Sequence, residues 1–277
     1  MADHRRAGRA ARSSARAVRG RPSVVILAAI GTALVVGAAG VLNLDDSADG
    51  STRPTSASAR PMGPNGAVAP GPGTVVGHDG AIPGIGSVMM AKVPRAARQA
   101  IVVTGIDRDA NINSVMLWQR ASARSPWISF GAPMTGRNGA NGWTGAHHEG
   151  DLRSPIGVFS LTAAGGRLPD PGSALPYEYQ PSFYQTAAPQ GEPLADAFNY
   201  VVAIDYNRVP GRPPSDPSRP LGDQVGGDIW LHVDHQAPTR GCVALTQDTL
   251  VSVMRWLSPQ AHPMIIMGDV ADLSADV

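Results

Sequence analysis

Apolar and polar positions divide the chain into three stretches with different patterns. Residues 23–44 (SVVILAAIGTALVVGAAGVLNL) contain no charge and one Asn over 22 positions. A helix of that length spans roughly 33 Å, enough for a bilayer core of about 30 Å. No face of the run is polar, which excludes an amphipathic core helix. Residues 45–86 show neither a helical nor an alternating period and consist mainly of Ser, Ala, Pro, Gly and Thr. Such a composition cannot bury enough apolar area to offset chain entropy and predicts a disordered spacer with a root-mean-square span of about 36 Å. From residue 87 onward short apolar runs alternate with Gly/Pro turns. Strands are predicted at 99–104 (QAIVVT), 114–119, 127–130, 157–162, 200–205 (YVVAID), 228–233 (DIWLHV), 243–245 and 263–267. Only 247–257 (QDTLVSVMRWL) has helical spacing, with Leu250, Val253, Met254 and Leu257 on one face. The loop-rich stretch 163–198 reads as a flap.

The expected fold is therefore mainly β, a sandwich or barrel-like sheet with one C-terminal helix, behind a transmembrane helix and a disordered linker. The expected segments are a basic tail at 1–22, an anchor at 23–44, a linker at 45–86 and one catalytic domain at 87–277. The 32 Gly and 25 Pro, with 16% charged residues, fit short strands and many turns better than a helical bundle.

Charge sharpens the placement. Residues 1–42 carry seven Arg against Asp3, or +6, so a total of +1 leaves −5 for the rest. A mildly acidic body argues against nucleic acid as a partner. Basic residues before the apolar run, with no cluster after it, put the N-terminus in the cytoplasm and the body outside a cell membrane, as a single-pass protein. Ala38, Ala39 and Gly40 are small enough for signal cleavage, yet the long basic region and long apolar run favour an uncleaved anchor. The Arg5-Arg6 pair lacks the residues that follow a twin-arginine export signal.

The chain has one cysteine, Cys242, on the side expected to be exported. A lone thiol there is either a small buried hydrophobe or a reactive group. Its surroundings, LHVDHQAPTRGCVAL, favour the second. Gly241 lets the backbone turn sharply before the sulfur, and Arg240 can favour thiolate by charge. His232 and His235 lie ten and seven residues upstream, within reach if the chain folds back. A thiol that must lose a proton and an imidazole to take it are the parts of a nucleophilic Cys–His pair. His232 is the expected base because a strand can hold its ring, whereas His235 falls in a loop and faces the opposite side. His147-His148-Glu149 reads as a loop lining the crevice, and the Trp residues 118, 127, 230 and 256 read as core.

Thr239-Arg240-Gly241-Cys242-Val243 after a strand-borne His resembles the catalytic motif of the YkuD-type L,D-transpeptidase family. A second segment, EGDLRSPIGVFSL (149–161), resembles that family's Gly-Asp-x-basic-Thr/Ser-Pro-x-Gly-x-aromatic motif, and YVVAIDYN lies between the two. The resemblance covers about residues 95–268. It implies a mainly β catalytic domain whose Cys attacks the bond after the third residue of a peptidoglycan stem tetrapeptide. The terminal D-residue leaves, and the acyl group passes to an amine of a neighbouring stem as a 3→3 cross-link. Carried over by position, Cys242 is the nucleophile, His232 the general base, and Gly241 with the N–H of Cys242 the oxyanion site. Thr239, Arg240, Arg153 and His235 would contact substrate. No cofactor or metal is expected.

Three positions depart from the family pattern. Arg240 stands where His is common, Ala244 stands where a polar residue is frequent, and the His232–Cys242 spacing is short. Other readings are an L,D-carboxypeptidase with water as acceptor, a zinc hydrolase built on His232, His235, Cys242 and Asp228 or Asp234, and a non-catalytic wall-binding module.

Overall fold

A computed structural model describes residues 74–78, 80–182 and 196–277. The expected tail, the anchor and most of the linker lie outside the described residues. Among the described residues, no helix is long and apolar enough to cross a membrane.

The strands are β1 (Gln99–Gly105), β2 (Ile112–Gln119), β3 (Ile128–Arg137), β4 (Trp143–Thr144), β5 (Ser154–Pro155), β6 (Gly157–Gly166), β7 (Tyr177–Tyr179), β8 (Val201–Ile204), β9 (Trp230–Val233), β10 (Val243–Leu245) and β11 (Met264–Asp269). Eight of them run in the order β11-β1-β2-β3-β10-β9-β8-β6, and β6 pairs back onto β11, closing a barrel. Closure leaves none of the eight with a free edge. The expectation of a β-rich sandwich or barrel thus resolves to a barrel. β7 adds outside the ring, parallel to β6, while β4 and β5 form a separate parallel pair.

Period-two alternation decides what faces inward. Ile101 and Val103, Val115 and Leu117, Leu231 and Val233, Val243 and Leu245, and Ile265 and Met267 fill the interior cluster. The helix α2 (Gln247–Trp256) adds Leu250, Val253 and Met254 to it, as its spacing predicts. On the outer face of β1 and β11, Ala100, Val102, Met264 and Ile266 pack under Trp118, Trp127 and Met89. Both faces of these strands are buried, which is why residues 99–104 read as a continuous apolar run. Met89 sits on the short helix α1 (Ser87–Met90), and Leu273 of α3 (Val270–Leu273) joins the same cluster, so the single expected helix has two one-turn companions.

The linker expectation fails for its last residues. Ile82 and Ile85 are buried in the outer cluster, Val76 bridges Ile128, and Gly77 N–H donates to Trp127 O at 2.7 Å. The structured body therefore includes residue 74, because two isolated isoleucines supply the apolar area that composition hid. Part of the expected flap is also sheet, since β6 continues to Gly166 and β7 follows. Ile82 is 1% exposed, so Ile82→Ala should lower the unfolding free energy by about 2–5 kcal/mol in urea titrations. A change near zero would return this segment to the linker.

Candidate active site

Cys242 immediately precedes β10, at the end of a turn held from three sides. The Thr239 hydroxyl accepts the N–H of Gly241 at 3.1 Å and donates to the carbonyl of Cys242 at 2.6 Å. The Ser154 hydroxyl, fully buried, donates to the carbonyl of Gly241 at 2.7 Å and accepts the N–H of Gly139 at 2.9 Å. Gly241 has φ +148°, and a Cβ there would stand 3.1 Å from both the Arg153 carbonyl and the Ile229 side chain. Only glycine fits this bend without strain. Its N–H is committed to the Thr239 hydroxyl, so the part Gly241 plays is to shape the turn that presents Cys242.

Two backbone groups hold the thiol. The N–H of Trp230 donates to Cys242 Sγ at 3.4 Å, and the thiol lies 3.4 Å from the Asp228 carbonyl, to which it donates. The residue is half-buried. Burial pushes the thiol up to about 12, with the Asp228 charge adding to the rise and the Trp230 N–H opposing it. The sequence-based expectation of a thiolate favoured by Arg240 is corrected here: the resting sulfur is a neutral S–H, because desolvation outweighs a guanidinium that points into solvent.

His232 lies on β9, which runs parallel to β10 with His232 opposite Ala244. Leu231 and Val233 point into the barrel, so His232 points outward, on the side shared by Trp230 and, two residues before Ala244, Cys242. The ring is 3% exposed and its Nδ1 lies 2.9 Å from the Val233 carbonyl. A carbonyl only accepts, so Nδ1 carries the proton and Nε2 remains the basic nitrogen. Desolvation lowers the imidazole to about 4, with the His235 charge lowering it further and the Val233 bond and Asp234 opposing. It is neutral near pH 7, as a base must be. The thiol's two hydrogen bonds go to the backbone, to Trp230 and Asp228, while the ring on the same face is bonded to Val233.

His235 does not face the opposite side. β9 ends at Val233, the Asp234 carboxylate accepts the Gln236 N–H at 2.9 Å, and Gln236 takes φ +64°. The chain doubles back and the two imidazoles stack at 5.6 Å with planes 5° apart. Phe198 also packs against His232, tilted by 59° with ring centroids 5.6 Å apart.

The expected substrate contacts divide sharply. Thr239 is 2% exposed and its hydroxyl is used within the turn, so it is a structural residue. Arg240 is exposed, two residues before Cys242. Arg153 is turned away, donating to the Trp143 carbonyl at 3.0 Å and to Asp109 at 3.2 Å. His147 does line the site: its side chain is 4% exposed, its Nδ1 lies 3.0 Å from Asp151, and a Cβ on Gly241 would come within 3.5 Å of its ring. Burial lowers its pKa against the opposing charge of Asp151. No group of three His, Cys, Asp or Glu side chains among the described residues is arranged to hold a metal ion.

Ser154 is not among the site residues expected from the sequence, and neither Asp228 nor Trp230 is expected as a partner of the thiol. For Ser154 the signal was the second motif; for the other two, which act through backbone atoms, there was none. No family, curated protein or solved structure matches the chain.

The buried imidazole has a measurable consequence. His232 titrates lower in the folded chain than unfolded, so between pH 6.5 and 4 the unfolded state holds more protons and stability falls as pH falls. The full effect is roughly 3 kcal/mol. His232→Asn should flatten the acid limb of a stability–pH profile; an unchanged slope would mean the ring titrates normally. A thiol near 12 also predicts iodoacetamide alkylation of Cys242 far slower at pH 7 than for an exposed thiol, rising about tenfold per pH unit up to pH 10. A plateau below pH 9 would contradict it.

Proposed function

We propose that the chain is a membrane-tethered L,D-transpeptidase of the YkuD type, acting on peptidoglycan stem peptides outside the cell. The observation that carries this reading is the meeting of its two motif segments. Ser154 of the earlier segment bonds the carbonyl of Gly241 in the later one at 2.7 Å, beside a thiol that shares a barrel face with a neutral imidazole of fixed tautomer.

In this reading the substrate carbonyl carbon, after the third stem residue, approaches Cys242 Sγ. Because the thiol rests protonated and His232 is a weak base, the S–H proton moves to Nε2 as the C–S bond forms, not before it. The N–H of Cys242 faces the developing oxyanion. The intermediate collapses, the C–N bond breaks, and the imidazolium returns its proton to the departing D-residue amine. An acceptor amine then attacks the thioester, gives its proton to His232 and leaves Sγ as thiolate, which regains that proton. Exposed Arg240 is suited to the free carboxylate of the stem terminus.

Incubating the full 277-residue chain with a tetrapeptide-containing muropeptide and measuring intact mass tests this. The expected result is an acyl adduct minus the D-residue, absent in Cys242→Ala, followed by 3→3 dimers when an acceptor is supplied. Release of tripeptide alone would make water the acceptor. Absence of any adduct would overturn the reading. Arg240→Ala should raise KM for the donor about tenfold with kcat nearly unchanged.

A further inference from the structure

Arg219, which no motif singles out, lies between two carboxylates on different loops. Its guanidinium donates to Glu149 Oε2 at 2.8 Å and to Asp228 Oδ2 at 2.9 Å. Its stem lies against Gly227, where a Cβ would stand 2.9 Å from Arg219 Nε. The Arg219 side chain is 20% exposed against 36% for Asp228 and 58% for Glu149, so the Asp228 arm is the better shielded and the Glu149 arm is an ordinary surface bridge.

What this clamp holds is unusual. Asp228 has φ +56°, in the left-handed region, which Asp enters more readily than most side-chain-bearing residues but which still needs local bonds to hold it. In that conformation its carbonyl accepts the S–H of Cys242 at 3.4 Å. The loop leading to it is fixed further by Tyr206, whose hydroxyl donates to the Val225 carbonyl at 3.0 Å, and by Asn207, which donates to the Gly222 carbonyl at 3.0 Å. Arg219 adds what those cannot, a bond to the side chain of the left-handed residue itself.

We propose that Arg219 is a positioning residue for the nucleophile: by clamping Asp228 it keeps that residue's carbonyl on the Cys242 thiol and aims the sulfur across the barrel face. The geometry assigns the restraint to Asp228's backbone, with Glu149 tethering the clamp to the loop that carries His147 and Asp151. The consequence for acyl transfer rests on the function proposed above; the restraint on the S–H does not.

The chain has one cysteine, so the S–H stretching band in the infrared reports Cys242 alone. In Arg219→Ala the band should move to higher frequency and narrow as the thiol loses its acceptor. Arg219→Lys keeps the charge but not the two-armed fork, and should shift it the same way. Adduct formation with the tetrapeptide should slow about tenfold or more in both variants, since a small misplacement of a reacting group is costly. A band at the wild-type frequency in folded Arg219→Lys would overturn the proposal. If wild type forms no adduct, the transpeptidase reading fails while the S–H band still decides the clamp. A purely structural arginine would lower the melting temperature and leave the band in place.

Discussion

The pairing of β6 with β11, from Gly157 opposite Met267 to Ser160 opposite Met264, is what turns a sheet into a closed ring. Without it β11 would present a free edge and the interior side chains of β1, β8 and β9 would lack their enclosing wall. Closure also anchors the candidate site. Ser154 is held in β5, just ahead of the start of β6 at Gly157, and its hydroxyl reaches the turn before Cys242. The hydrogen bonds that close the barrel and those that shape the turn before Cys242 are thus neighbours in one stretch of chain.

The site is best understood as a resting state. Its sulfur is protonated, its imidazole is neutral, and each is tied to a backbone carbonyl, Asp228 for one and Val233 for the other. Burial produces both conditions, since a low-dielectric pocket disfavours thiolate and imidazolium alike. An uncharged pair costs less to keep under the aromatic side chains of Phe198 and Trp230 than an ion pair would. In the proposed acyl transfer, charge would then develop only when a carbonyl is present to receive it.

Much of this was legible in the sequence where a period or an apolar run existed. The strands at 99–104, 157–162 and 263–267 and the helix from 247 appear close to their expected bounds, because burial on one or two faces leaves a readable pattern. The second half of β3, with its Gly and Pro, has no alternation and is a strand because β2 pairs along it and β10 meets it at Arg137. Ile82 and Ile85 were hidden among Gly and Pro. At the candidate site, Cys242 and His232 could be named because a lone thiol and a strand-borne imidazole are legible as residue types. The protonated state of the sulfur could not, since it depends on burial, which a charge two residues away does not reveal. The stacking of His235 and the left-handed Asp228 arise from turns that leave no period, and Arg219 acts through a residue nine positions further on.

The neutral sulfur has an implication for durability. Peroxides and disulfides react with thiolates, and a thiol near 12 is almost never one at neutral pH. With no second cysteine in the chain to condense with, Cys242 would have no internal route back from a sulfenic acid. Holding the hydrogen on sulfur therefore makes the thiol slow to oxidise, a property that would suit the proposed function outside the cell, away from the reductants of the cytoplasm.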